Sequence, residues 1–305
     1  MGQEKLKQHI GCVVLTKDGK ILFRKGKTEE CGELYLIDGE NVSKIENAKY
    51  AGISWDKEFV AIAYDYGIDE YRNDGTKVGT FSLPDYWIDD QWLNSIISIT
   101  PFNNGEYILV VSLGGIYVLA EDDIAFIHPR DDEEEDYYEM LHASVSPRDL
   151  FIAVGDKESE HIILDVEKEF EISEVIDCAS EYANYTQYNR MGSHVIFNSC
   201  DASGGESVIL GVDTDEITEV SLSFKMTAGA SYDESFIVGT EDGNIISVNP
   251  DGTWNWRYHV GPQVNSIDVS NDGKILVVGT SAGSLYLLKL EHDEADKMVT
   301  IQCPL

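Results

Sequence analysis

The sequence predicts an all-β chain built from seven copies of one four-stranded unit. Three observations carry this. First, strand-like segments recur at a fixed period. "SFIVGTEDGNIISVNPDG" (Ser235 to Gly252) and "ILVVGTSAGSLYLLKL" (Ile275 to Leu290) place Gly239-Thr240 and Gly279-Thr280 at the same point of the unit, 40 residues apart. Second, glycine is frequent (26) and proline scarce (7), as many short strands joined by tight turns require. Third, no segment keeps a helical period of apolar residues. One four-stranded meander cannot bury both of its faces, whereas meanders packed radially bury them against each other and leave only short edges. The expected fold is one domain, residues 1–305, forming a seven-bladed β-propeller of four-stranded antiparallel blades.

The blades follow in order. Blade one (9–46) has candidate strands at Ile10–Leu15, Ile21–Arg24, Glu33–Ile37 and Asn41–Ile45. Blade two (50–82) opens on "YAGISWDKEFVAIAY", blade three (94–127) on "NSIISITPFNNGEYILVV" and blade four (142–175) on "HASVSPRDLFIAVG". Blade five (184–222) is a looser copy around "GSHVIFNSCDASGGESVILGVD". Blades six (226–258) and seven (264–303) hold the two segments quoted first. Second strands such as "ILVVG" and "FIAVG" are apolar on both faces, as strands covered on both sides should be. Asp-Gly pairs at Asp18-Gly19, Asp74-Gly75, Asp251-Gly252 and Asp272-Gly273 supply the positive φ that tight turns need. The alternating "KMVTIQC" (Lys297 to Cys303) is expected as the outer strand of blade seven; the alternative is "EKLKQHI" from the N-terminus.

"VNSIDVSNDGKILVVGTSAGSLYLLKL" (Val264 to Leu290) resembles a blade of a WD-repeat propeller. "NPDGTWNWRYHVG" (Asn249 to Gly261) resembles the docking segment of quinoprotein-type, PQQ-like repeats. The similarity runs over about residues 223–290. It departs from the WD pattern in that no strand ends in Trp-Asp and the Gly-His signature is missing. The resemblance implies a scaffold more than a reaction, with Trp256 capping a blade interface. It does not imply bound PQQ, and no cofactor is expected.

The formal net charge is −34, from 56 acids and 22 bases. Such a field repels nucleic acid and anionic membranes and attracts basic partners; it is equally what a solubilised or salt-adapted surface would carry. The first 30 residues run the other way, with seven bases and four acids. Five scattered cysteines without a C-x-x-C argue against a disulfide framework or a zinc site and suit a reducing compartment. The start lacks the apolar core of a signal peptide, and the longest apolar stretch, Tyr107 to Ala120, is too short to span a bilayer. A soluble cytoplasmic protein is expected.

In a propeller, the links from one blade's outer strand to the next blade's inner strand share one face. Most here are short, such as Glu46–Lys49 and His259–Gln263. Three successive ones are long: Leu83–Leu93, His128–Leu141 and Ile176–Arg190. They hold Tyr86, Trp87, Asp89, Asp90 and Trp92; then Asp131, Asp132, Glu133, Glu134, Glu135, Asp136, Tyr137 and Tyr138; then Tyr182, Tyr185 and Tyr188. Carboxylates beside aromatic faces suit a cationic ligand, and long loops are where binding residues concentrate. These residues are the candidate site for a basic protein or peptide. If the site has no partner, the aromatics only pin the loops and the acids are only solvated.

Reaction chemistry leaves fewer signs. The seven histidines show no metal-ligand spacing, and neither H-E-x-x-H nor G-x-S-x-G occurs. "DTDE" (Asp213 to Glu216) lacks the rest of a calcium loop, and Ser203–Gly205 reads as a hairpin turn. His142, two residues before Ser144, reads as the start of an inner strand rather than a dyad. The alternative function is a hydrolase or lyase with an acidic site in the central channel.

Overall fold

A computed structural model of the chain describes residues 9–26, 32–83, 96–121, 123–128, 141–156, 160–176, 182–201, 204–220, 224–290 and 298–301. These hold 28 strands in seven four-stranded antiparallel sheets, and no helix. Each blade takes its strands in chain order from the centre outward. The inner strands are Ile10–Leu15, Ala48–Ile53, Ile96–Pro101, His142–Val145, Ala183–Tyr188, Met226–Tyr232 and Val264–Val269. They surround a central channel, and the chain is the seven-bladed β-propeller expected.

The second strand of each blade shows why the blades stack. Side chains along a strand alternate between faces. In Ile275–Thr280, Leu276 and Val278 enter the core shared with blade six, while Val277 enters the core shared with blade one. In His194–Asp201, Val195 and Phe197 face blade four and Ile196 faces blade six. In Ile108–Ser112, Ile108 and Val110 face blade two and Leu109 and Val111 face blade four. Apolar seams therefore run around the whole ring. Trp256 packs into the seam between blades six and seven, where the resemblance to quinoprotein-type repeats placed it.

The turn from inner to second strand repeats nearly as well. In six blades the fourth turn residue takes a positive φ and its N–H donates to the carbonyl three residues back: Gly19, Lys57, Gly105, Asp149, Gly192 and Gly273. Four are glycines, which adopt this conformation without steric cost. Lys57 (φ 60°) and Asp149 (φ 60°) are not, and both tie blades together. The Asp149 carboxylate accepts the Asn103 and Asn104 N–H groups of blade three at 3.1 and 3.0 Å.

Lys57 belongs to the ring closure. The outer strand of blade seven is Met298–Ile301, paired with Leu285–Lys289 of the same blade, so the C-terminal segment takes that edge. Residues 1–8 lie outside the described residues. Among the described residues the first and last blades exchange no strand and meet by packing and hydrogen bonds. Ile10, Val13, Leu15 and Phe23 meet Val277 and Leu285 there. The Val13 N–H donates to Ser266 Oγ (3.0 Å) and the Leu15 N–H to Asp268 Oδ2 (2.6 Å). From blade two, Lys57 Nζ reaches beneath blade one to both Asp268 oxygens (2.8 and 2.7 Å) and to Leu15 O (2.8 Å). Burial pulls the Lys57 pKa down, Asp268 opposes this, and the charge of Arg190 adds to it.

Losing one partner of a buried ion pair leaves the other uncompensated, which costs roughly 3–5 kcal/mol. Asp268 retains some exposure, so the lower end applies. Lys57→Met and Asp268→Asn should each lower the stability by about 3 kcal/mol in urea unfolding, and the double variant should lose less than the sum. Additive losses would show that the two residues act separately.

Glu70 sits in the third strand of blade two, Gly67–Arg72, on the face that carries Ile68. It is fully buried, and neither carboxyl oxygen has a hydrogen-bond partner. Burial pushes its pKa up to about 7, with Arg72 opposing. The unfolded chain releases this proton near pH 4.5, so the folded state is penalised as pH rises from there to 7, and fully above 7. Glu70→Gln should raise stability at pH 8 by roughly 2–3 kcal/mol and change it little at pH 4.5. An equal effect at both pH values would mean that Glu70 keeps its ordinary pKa.

Candidate functional site

The seven inner strands each have one edge with no neighbouring strand, so their N–H and C=O groups face the channel. Polar side chains from the preceding blade meet many of them. Tyr50 Oη donates to Ile97 O. Ser144 Oγ accepts the Tyr188 N–H (3.1 Å), and Asn184 Nδ2 donates to Met226 O (2.6 Å). Thr227 Oγ1 donates to Val264 O (2.5 Å), and Asn265 Nδ2 to Ile10 O (3.1 Å). These residues, with Ser266 and Asp268, form a polar belt that links neighbouring inner strands.

The belt encloses a cavity of about 490 Å³, lined by residues of all seven blades. At the end where inner strands finish, ties join blades that are not neighbours and so cross the channel instead of following its wall. The Trp55 indole N–H of blade two donates to Val145 O of blade four (2.7 Å). Arg190 Nη2 of blade five donates to Asn271 Oδ1 of blade seven (3.0 Å), and Asn271 Nδ2 to Asp56 O of blade two (3.4 Å). Lys57 to Asp268 is a further such tie. The opposite end, where inner strands begin, carries Tyr50, His142, Tyr185, Lys225 and Gln263. His142 does open an inner strand, and its Nε2 lies 3.3 Å from Nδ1 of the buried His161. Burial first, and then His142, hold the His161 pKa well below the ordinary range, so this imidazole stays neutral.

The sequence-predicted site residues fall into two groups. Tyr86, Trp87, Asp89, Asp90 and Trp92, and Asp131 to Tyr138, lie outside the described residues. Tyr182, Tyr185 and Tyr188 are described, and they correct the third expected loop. Ala183–Tyr188 is the inner strand of blade five, paired with His194–Asp201, so that link ends before Ala183. Tyr188 has no exposed surface and packs between blades four and five, so it is a core residue. Tyr185 lines the channel, with its ring against Gly229: a Cβ there would sit 2.9 Å from Tyr185 Cε1. Only Tyr182 stays at the edge of the link, half-buried. The strand was hidden because "ANYTQY" is polar at alternate positions, of which the belt uses Asn184.

The second link is anchored at both ends. His128 closes the outer strand of blade three, and its Nε2 lies 2.6 Å from Asp156 Oδ2 of blade four, both side chains buried. Leu141 enters the seam between blades three and four.

Sequence reading missed Lys57 and Arg190 as channel residues. A lysine in a turn position that four other blades give to glycine was a readable signal for the first. Among the described residues, Asp268 is the one carboxylate lining the channel, and Lys57 holds it, so an acidic channel enzyme would have to draw on that pair. Among the described residues no group of three or more potential metal ligands occurs, and no helix is long and apolar enough to cross a membrane.

No family model matches the chain, and no curated protein matches it in sequence. Solved structures match the fold. The Myceliophteria thermophila Cps50 (Swd1) beta-propeller domain superposes with a TM-score of 0.66 at 13% identity, over 93% of this chain and 98% of that one. The Kuenenia stuttgartiensis hydrazine synthase superposes with a TM-score of 0.66 at 10% identity, over 96% and 98%. Identities this low establish a shared propeller fold, and the resemblance to WD-repeat and PQQ-like segments goes no further than that.

Proposed function

We propose that the protein is a non-enzymatic propeller scaffold that binds a basic protein or peptide on the face where its inner strands begin. The observation that supports this is topological. Every outer-to-inner link leaves and returns on that one face, and the two longest, 84–95 and 129–140, carry acids interleaved with aromatics. A propeller fold is compatible with such a role, and a broad charged surface needs no oriented catalytic set. The partner is drawn in by charge and held by aromatic anchors. The hydrolase or lyase alternative would place its chemistry in the channel, not on this face.

The two contributions separate in kinetics. Charge acts over about 8 Å at physiological salt, whereas anchors act on contact. Replacing Asp131 to Asp136 with Asn and Ser should slow association of an oligo-lysine or oligo-arginine peptide and flatten its salt dependence. Replacing Trp87, Trp92 or Tyr138 with Ala should mainly speed dissociation, by roughly tenfold for a buried anchor. Surface plasmon resonance at 50 and 300 mM salt would read both effects. Unchanged binding in both sets would remove this face as the site.

A further inference from the structure

The outer strand of blade four differs from its counterparts. Glu171–Ile176 exposes two large apolar side chains, Ile172 (47%) and Val175 (50%), where the outer strands of blades one, two, three, five and six expose one each. In a regular strand, residues three apart point to opposite faces. A bulge changes this. Ile172 pairs with Leu164, Glu174 with Ile163 and Val175 with Ile162, so Ser173 is the extra residue. Residues paired across two strands share a face. Ile162 and Leu164 enter the seam with blade three. Ile172 and Val175 therefore stand two rungs apart on that same face, about 7 Å from each other.

Blade three leaves both of them open. Its outer strand, Ile124–His128, presents the half-buried Ala125 to this seam, paired with Val118. Phe170, in the turn before Glu171, packs on the seam as well. The outer end of the seam is thus an apolar cleft open to water. Contiguous exposed apolar surface marks contact sites, where single exposed residues do not. The charge around the cleft has one sign. The turn of blade three carries Glu121 and Asp123, and that of blade four Glu167 and Glu169, all exposed, as is Glu171. Among the described residues of these two turns the one base is Lys168, and Asp165 already holds it (2.7 Å). At its other end the cleft reaches the face where the link 129–140 leaves His128. The bulge twists the free edge of the strand, which opposes the addition of a further strand there. A second copy of the chain would bring its own charge of −34 and be repelled.

We propose that the cleft between the outer ends of blades three and four takes a basic peptide segment that carries two apolar side chains at alternate positions. Extended backbone spaces alternate side chains by about 7 Å, which matches Ile172 and Val175. Lysines or arginines flanking the apolar pair meet the carboxylates of the two turns. The proposal rests on the reading that the partner is basic. It adds what an acidic face alone does not supply, a preference among basic segments.

The test titrates the full chain with two fluorescent peptides of equal charge, Lys-Lys-Val-Ser-Val-Lys-Lys and Lys-Lys-Ser-Ser-Ser-Lys-Lys, and reads anisotropy. The valine peptide is expected to bind about tenfold more tightly. Ile172→Thr combined with Val175→Thr should abolish that preference and leave the affinity for the serine peptide unchanged. Threonine keeps the branch at Cβ, and both positions are exposed, so the strand is retained. Glu169→Gln combined with Glu171→Gln should weaken both peptides alike. Equal affinity of the wild type for the two peptides, or a preference that survives in the threonine variant, would overturn the proposal and leave the acidic face standing. A preference that survives replacement of Asp131 to Asp136 but not the threonine changes supports the cleft and counts against that face. Binding of neither peptide would overturn both. Dimerisation of the wild type that the threonine variant lacks, in analytical ultracentrifugation, would assign the cleft to a second copy and overturn the proposal too.

Discussion

Seven unpaired strand edges facing one channel are the constraint on which the rest of this structure depends. A sheet edge is tolerable in water and costly when covered, because each bare N–H or C=O then lacks a partner. The blades cannot cover these edges with further strands, since the centre has no room for them. The chain instead lines the channel with polar side chains, short ones in every case but Tyr50. Tyr50, Ser144, Asn184, Thr227, Asn265 and Ser266 each reach the backbone of an adjacent inner strand. The channel is polar for a structural reason before any ligand is considered.

The same constraint shapes the closure. A ring of blades whose ends merely pack can open at one seam, because that seam alone lacks a covalent link between its two blades. Asp268 addresses this at one point. Its carboxylate takes the Leu15 N–H of blade one and the Lys57 ammonium of blade two, so three blades share one anion. Buried ion pairs add little to stability on average, yet they specify which groups meet. Here the pair specifies that the first blade sits between the second and the last. Lys57 takes the left-handed turn conformation that glycine fills in four other blades.

The fold was legible because it depends on features that repeat. The 40-residue spacing, the two-faced second strands and the Asp-Gly turns each recur, so chance resemblance at one copy is outvoted by the others. All four Asp-Gly glycines take the positive φ expected of them. The site was less legible because it depends on features that do not repeat. "ANYTQY" reads as loop because its buried positions include the polar Asn184 and Thr186, and Asn184 is placed by its bond to Met226 O of blade six. The meaning of Arg190 lies in Asn271, 81 residues away, and that of Lys57 in Asp268, 211 residues away. Glu70 carries no local mark at all: its burial is set by the blade packed over it.

The chain thus separates two kinds of charge. Acids outnumber bases in the chain as a whole and in the sequence of its two long links. In the channel the ammonium of Lys57 is buried, and a buried charge must be matched. Lys57 is matched by Asp268 within the chain. Arg190 is met by an amide, which accepts a hydrogen bond but does not neutralise. A net negative chain could have supplied a carboxylate at many positions near this guanidinium, and the fold instead places Asn271 there. That bond is open to solvent, so water can solvate the guanidinium while the amide keeps the side chain oriented across the channel.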